Sequence, residues 1–550
     1  MKVRDAAFIE PTAAERSRYE ELGLWSSTET LSRLVARHAG ERPEAEAAVD
    51  AYGTRLTYGD LDRRATALAV ALSARDIGTG DVVGVQLPNR VEDSVAIAAI
   101  EKLGAVTVPL VTMFRDHEIA YVGKLTEMKA LVVPGTYRRY RHDAMVLRIA
   151  EAVPSLRVLV SLSEEPPAPV ESLAALIEEG EAAADDRFAD PEIDPNAPAA
   201  ILLTSGTEAA PKAVIHTNNT LISNSRALAQ MLGMDERDAI FMPSPIGHGT
   251  GFGFGTRFAI FLGSKLVLQD IWEPRQAADT LVSEHCAYTH ASTTFAQDLL
   301  ELDDLAERDF SSLRFFVSGG AAIPPGFAAA IHEAMDGCSL LRLYGQTEAF
   351  MTTLNRPEDG PERLDGFDGR AVPGVEVAAW NDDGEPVAPG EVGEMVCNGP
   401  HRCRGFHGDS ERTAAAIGAD GWMRMGDLGK IDEAGFVSIV GRKKEVISRG
   451  GYKYSPREVE DLLVDHPRLL RAAVVRIPDR RLGEKACVCV IPRDDAELTL
   501  EDVTSYLRER GLAPFKLPES MRTFESFPTT ASGKIQKFAL EEELAAAAQE

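Results

Sequence analysis

Thr204-Ser205-Gly206-Thr207-Glu208-Ala209-Ala210-Pro211-Lys212 follows directly on the apolar run Ala199-Ala200-Ile201-Leu202-Leu203. The run reads as a buried strand, so small hydroxylated residues and a glycine arrive at its end and a lysine closes the loop. Such a loop holds phosphate. Gly206 lets the main chain approach closely, backbone N–H groups and the hydroxyls of Thr204, Ser205 and Thr207 can surround anionic oxygens, and Lys212 supplies a compact positive charge. A Walker A loop needs Gly immediately before Lys and Ser or Thr immediately after. Pro211 and Ala213 occupy those places, which argues against an ordinary P-loop NTPase. Alone, a Thr/Ser/Gly loop is more often a solvated turn, so its reading depends on what surrounds it.

Upstream, strand-like and helix-like segments alternate. Ala47 to Leu56 reads as a hairpin around Tyr52-Gly53, Tyr58 to Arg75 and Val91 to Leu103 have helical spacing, and Val82 to Gln86, Val106 to Leu110 and Lys129 to Val133 read as buried strands. Strands separated by helices predict parallel sheets covered on both faces, the doubly wound α/β class. The acidic, Pro- and Ala-rich span from Ser163 to Pro198 reads as a surface excursion.

Downstream, Phe241 to Gly253 interleaves glycines with aromatics and one histidine, His248. This pattern suggests a backbone packed closely against something flat or narrow; a Gly-rich turn with core phenylalanines is the plainer reading. Leu313 to Val317 is a strand ending in Ser318-Gly319-Gly320-Ala321, and Pro324-Pro325 opens a helix, a strand-to-helix turn of the kind that receives ligands. Leu340 to Leu343 delivers Tyr344-Gly345-Gln346-Thr347-Glu348. Tyr can stack on a base, Thr can donate to phosphate, and Glu can ligate Mg²⁺ together with phosphate oxygens. After Gly369, short strands and turns predict a β-rich subdomain of about residues 370–440. Gly441 to Glu445 reads as a linker, and from Pro456 a small α+β domain ends in Phe527-Pro528-Thr529-Thr530-Ala531-Ser532-Gly533-Lys534, a turn presenting one lysine.

At 550 residues the chain exceeds what one core usually supports, which predicts two or three domains. A net charge of −28 repels nucleic acid and anionic lipid, and no local basic patch is evident to reverse that. Met1 to Trp25 lacks the layout of a signal peptide and no apolar run is long enough to span a bilayer, so no membrane span and a cytoplasmic location are expected. The six cysteines lack CxxC spacing and read as buried thiols.

Taken in this order, the motifs resemble the adenylate-forming superfamily, which includes acyl- and aryl-CoA synthetases, peptide-synthetase adenylation domains and luciferases. The resemblance covers nearly the whole chain, from Leu56-Thr57-Tyr58-Gly59-Asp60-Leu61 to Gly533-Lys534. It implies a large N-terminal domain of doubly wound mixed sheets with a small β subdomain (1–440), a hinge (441–446) and a mobile α+β lid domain (447–550). It implies further that Thr204, Ser205, Gly206, Thr207 and Lys212 hold the β- and γ-phosphates of ATP. Gly320, Ala321, Tyr344 and Gly345 would frame the adenine, Thr347 would touch the α-phosphate, and Glu348 would help to bind Mg²⁺. Asp427 would accept from the ribose hydroxyls, Arg442 would reach ribose or phosphate, and Lys534 would be catalytic. Lys444 matches the hinge, and Gly450-Gly451 belong to the stretch that would line the thiol's access tunnel after the lid rotates.

The same resemblance places the acyl pocket between His248, Gly249 and Phe252 on one side and Ser318, Gly319 and Gln346 on the other. No aspartate stands where an amino acid's α-amino group would be held, and Gly249 stands where a 2-hydroxybenzoate ligase would carry Asn. A medium-chain, alicyclic or aromatic acid is expected, activated as its adenylate with release of pyrophosphate and passed to coenzyme A with release of AMP. The alternatives are transfer to the phosphopantetheine of an acyl carrier protein or to an amine, or, in another class, a non-catalytic nucleotide-binding member. The partners expected are that acid and CoA or a carrier protein, with the chain a monomer or homodimer. Glu208-Ala209, Ala213, Met425 and Lys537 depart from the commonest family pattern; Glu208 is expected to point outward, because a carboxylate beside a triphosphate is repelled.

Overall fold

A computed structural model describes residues 3, 7–183, 191–204, 211–319, 323, 326–449, 452–479, 481–493, 497–530 and 534–547. The predicted alternation of strands and helices produces two large sheets. The first has seven strands in the order Lys212–Thr217, Pro198–Thr204, Val106–Pro109, Val82–Val85, Ala130–Val133, Val158–Ser161, Glu171–Ser172. Only the pair Pro198–Thr204 and Lys212–Thr217 is antiparallel. The second has nine strands, parallel from Ser339–Gln346 through Phe315–Gly319, Cys286–His290, Ala239–Met242 and Leu266–Leu268 to Glu46–Asp50, with antiparallel strands at both edges.

The helix Val91–Lys102 is buried along nearly its whole length and packs on strands of both sheets. Even its last turn is inside: Glu101 pairs at 2.6 Å with the fully buried Arg257, and Asn218 bonds to both. A buried acid and base tolerate this only because each is paired and hydrogen-bonded. The helix Tyr58–Ser73 starts from a capping box of Thr57 and Asp60 and buries its apolar face in the same core.

The span from Ser163 to Pro198 is more than an excursion. Glu171–Ser172 adds an edge strand, and Leu173–Ala183 is a helix that buries Leu173, Leu176 and Ile177 against Tyr58–Ser73. Its Gly180 lies so close that an added Cβ would stand 1.9 Å from the Ala67 carbonyl oxygen. Surrounding alanines and glutamates had diluted this i, i+3, i+4 pattern.

The β-rich region is an antiparallel sheet of Glu376–Trp380, Gly393–Asn398, Met423–Ile431 and Val437–Arg442. Beyond a 3₁₀ turn at Lys443–Glu445 lies the separate C-terminal sheet, built on the long hairpin Leu469–Asp479 and Gly483–Pro492 and covered by the helices Pro456–Leu463 and Leu500–Glu509. Ile447–Arg449, Tyr452–Tyr454, Ser520–Thr523 and the helix Lys537–Ala547 complete it and were not anticipated from the sequence. All six cysteines are buried and free. Among the described residues no helix is long and apolar enough to cross a membrane.

Candidate active site

Four elements bring the predicted residues together. Pro198–Thr204 and Lys212–Thr217 form a hairpin with Thr204 opposite Lys212, so the two ends of the phosphate-type loop are fixed by sheet pairing. Ser205, Gly206 and Thr207 lie outside the described residues, as do Gly320, Ala321, Gly450 and Gly451. Thr204 Oγ1 is buried with no hydrogen-bond partner among the described residues, an orphan hydroxyl at the mouth of the loop. An anionic oxygen seated there would satisfy it.

The strand Ser339–Gln346 runs further than its apolar run suggested, so Tyr344 and Gly345 lie within it. A Cβ on Gly345 would fall 1.6 Å from the Phe350 carbonyl oxygen, so only glycine fits the tight return into Phe350–Leu354. That return leaves Thr347 half-buried and fixes Glu348, whose carboxylate lies 3.7 Å from Lys212 Nζ. The Nε2–H of His216 donates to the Thr347 carbonyl at 2.8 Å. Burial lowers the His216 pKa to about 4, so the brace stays uncharged. His216 was not singled out in the sequence; an apolar strand that carries one inward histidine was the available signal.

Asp427 is the polar centre on the opposite wall. Tyr344 Oη donates to it at 2.9 Å and Gln346 Nε2 at 2.7 Å, and Arg442, its cross-strand neighbour, approaches at 3.4 Å. Burial raises the carboxyl's pKa while Arg442, these donors and Lys534 oppose the rise. Gln346, expected beside the acyl group, instead turns its amide toward Asp427 and the Met425 carbonyl.

Lys534 belongs to the C-terminal domain but stands among these N-terminal groups. Its backbone pairs with Thr530 in a narrow turn. Its side chain is exposed in a cleft dense with protein atoms, so desolvation, then the charge of Arg442, push its pKa below the usual lysine value against the pull of Asp427 and Glu348. Lys444 lies exposed in the 3₁₀ turn between the two sheets. Just before it, Gly441 is packed so closely that a Cβ would meet Ser455 Oγ at 2.0 Å.

The glycine-rich stretch after Phe241 resolves into both of its readings. Gly247 is pressed on the Leu110 carbonyl and Gly253 on the Phe350 ring, so the backbone is packed closely, against protein. Gly251–Thr256 is a π-helical turn, a local widening frequent at functional sites. Phe252 and Phe254 are both buried in the main core: Arg257 lies over the Phe252 ring, and the Phe254 ring centre lies 4.4 Å from that of His290 and 5.9 Å from that of Phe350. Phe254 and His290 are thus neighbours of the site that the sequence did not mark. His248 is half-buried beside Lys534; burial and then that charge lower its pKa to about 4. Gly249 faces Thr347, with room for a methyl at 3.7 Å from the Thr347 hydroxyl. Ser318 Oγ lies 3.4 Å from Thr293 Oγ1, and Gly319 ends its strand directly behind.

The donor set fits Mg²⁺ held mainly by a substrate's phosphates. Among the described residues no cluster of three metal-ligating side chains exists, but Glu348 offers one carboxylate close to Lys212, the sparse protein contribution typical of this ion.

Comparison with known proteins agrees with this geometry. The AMP-binding enzyme family profile matches residues 35–407, and the AMP-binding enzyme C-terminal domain matches residues 458–534. The medium-chain fatty-acid–CoA ligase of Escherichia coli K12 is 35% identical over 96% of this chain and 93% of its own. The 2-hydroxy-7-methoxy-5-methyl-1-naphthoate–CoA ligase of Streptomyces carzinostaticus is 33% identical over 95% and 94%. The ATP-bound crystal structure of MatB from Rhodopseudomonas palustris superposes with a TM-score of 0.83 at 27% identity, over 94% of this chain and 99% of that one. With the motifs in order, the site assembled and both family domains matched, the chain belongs to the AMP-binding, adenylate-forming enzyme family.

Proposed function

We propose that the protein is an AMP-forming acid–thiol ligase that activates a partly apolar carboxylic acid with ATP and transfers the acyl group to coenzyme A. One observation carries the reading: Lys534, on the C-terminal domain, converges with Glu348, Asp427 and Arg442 beside the loop between Thr204 and Lys212. The loop and Lys212 would hold the β- and γ-phosphates, and Asp427 would accept from the ribose. Attack of a carboxylate on the α-phosphorus brings two anions together, so fixed cations aimed at the developing charge accelerate it. Lys534 and Arg442 would serve this role, with Thr347 donating to the α-phosphate. Mg²⁺ at Glu348 would add charge neutralisation.

In this reading residues 441–446 would act as the hinge, with the N-terminal domain before it and the lid after it. Rotation about Lys444 would withdraw Lys534 and bring the Gly450-Gly451 stretch to the thiol's path, where CoA attacks the mixed anhydride and AMP leaves. The names of the two CoA-ligase relatives, one for a medium-chain and one for a naphthoic acid, favour a neutral, partly apolar acid here. The Phe254 and Phe350 rings, which pack edge-on against each other near His290, suit it.

The test is pyrophosphate release with ATP, Mg²⁺ and a panel of alkyl, alicyclic, aryl and amino acids, with and without CoA, products followed by mass. Acyl-CoA formation supports the reading. Acyl-adenylate accumulating at every CoA concentration would instead assign the acyl group to a carrier protein or an amine.

A further inference from the structure

His290 ends the strand Cys286–His290 and is only 4% exposed. One face of its ring packs on Phe254. Its Nδ1 lies 3.3 Å from the hydroxyl of Tyr288, a phenol that burial keeps protonated. That hydroxyl is fully buried with no other hydrogen-bond neighbour among the described residues, so donation to Nδ1 is the arrangement that satisfies its proton, and on this assignment the imidazole proton is on Nε2. Nε2 finds no partner among the described residues, yet it is not among the polar atoms sealed from solvent. His248 lies near enough for its charge to act on this ring.

Other buried histidines differ in the decisive respect. In His38, Nε2 donates to the Ile260 carbonyl and Nδ1 is left as a bare acceptor, and in His142 and His401 one nitrogen likewise donates to a backbone carbonyl. In His290 the order is reversed: the acceptor is used and the N–H is left over. A hydrocarbon chain seated against that N–H would shut it off from water unpaired, which is costly, so the site favours a ligand that accepts from it. The ring remains a neutral donor at working pH, because burial and then His248 lower its pKa to about 3.

We propose that His290 Nε2–H reads a hydrogen-bond acceptor on the acyl skeleton, so that the acid activated carries an oxygen substituent away from its carboxylate. A ring hydroxyl, ether or ketone would serve; a plain hydrocarbon tail would leave the donor buried and unpaired. This rests on the ligase reading above and narrows its substrate class.

The experiment compares matched acids, each hydrocarbon against its mono-oxo counterparts with the ketone at successive positions: octanoate with the oxo-octanoates, cyclohexanecarboxylate with the oxocyclohexanecarboxylates. Pyrophosphate release gives kcat/KM for the parent, His290→Phe and His290→Asn. At one or more positions the parent should favour the ketone by roughly 10- to 100-fold, His290→Phe should bring the ratio close to one, and His290→Asn, which keeps an N–H, should restore part of it. A parent preference for the hydrocarbon at every position overturns the proposal without any variant, as does an unchanged ratio in a folded His290→Phe. No pyrophosphate release with any acid would instead remove the ligase reading itself, a different failure.

Discussion

Replacing Lys534 by Ala tests the site at its centre. The ammonium enters a cluster that already holds Arg442, and Lys212 stands across the cleft beside Glu348. Two cations therefore remain when Lys534 is removed. The loss is that of one preorganised donor to developing charge, worth about 10²–10³ in rate, or about 2.7–4 kcal/mol. The domain interface should survive, because Lys534 Nζ makes no ion pair among the described residues and its backbone turn with Thr530 is independent of the side chain. ATP–pyrophosphate exchange measures the first half-reaction, and thioester formation from supplied acyl-adenylate the second. Exchange should fall about 10²–10³-fold while the second step stays within roughly threefold of the parent. Exchange at the parent rate would refute the role given to Lys534, and an equal loss in both steps would show that the substitution had damaged the fold or the hinge.

Lys444→Pro restricts the hinge turn, so exchange should persist within roughly threefold while thioester formation drops by at least about tenfold in single turnover. Glu15→Ala leaves Arg402 and Arg404, both almost fully buried, without their carboxylate, and denaturant unfolding should show a loss of about 3–5 kcal/mol. Burial works against ionisation of Glu15, but the bonds and charge of Arg404, with Thr12 and Arg402, outweigh it and hold its pKa below the ordinary 4.5. Its contribution is therefore present above pH 4.5 and lost as pH falls through the lower folded value, so parent and variant should converge in stability in acid. Gly345→Ala, with its methyl forced on the Phe350 carbonyl, should cost more than about 3 kcal/mol, whereas Gly249→Ala should stay within about 0.5 kcal/mol, as read by thermal denaturation.

Local chemistry made much of this protein legible. Thr204 to Lys212 and Tyr344 to Glu348 stood out because small hydroxylated residues, glycine and a charged group follow an apolar strand, whereas Asp427, Arg442 and Lys534 were singled out only through the family resemblance. The helix Leu173–Ala183 was hidden because alanine and glutamate do not distinguish a packed helix from a solvated segment until a neighbour such as Tyr58–Ser73 is in place. Gln346 was read by its position in a motif, but its amide follows the nearest strong acceptor, Asp427, which is 81 residues away in sequence.

The sequence by itself determined the alternation of strands and helices and the set of charged groups, since these depend on residue type and short spacing. Tertiary structure decided that Phe254 as well as Phe252 is buried, with the His290 ring against it and the Tyr288 hydroxyl at His290 Nδ1, and that Lys534 stands near Arg442, Asp427 and Glu348. Each of these depends on contacts between residues far apart in the chain, where burial and the competition for a single proton are settled only after the sheets have packed.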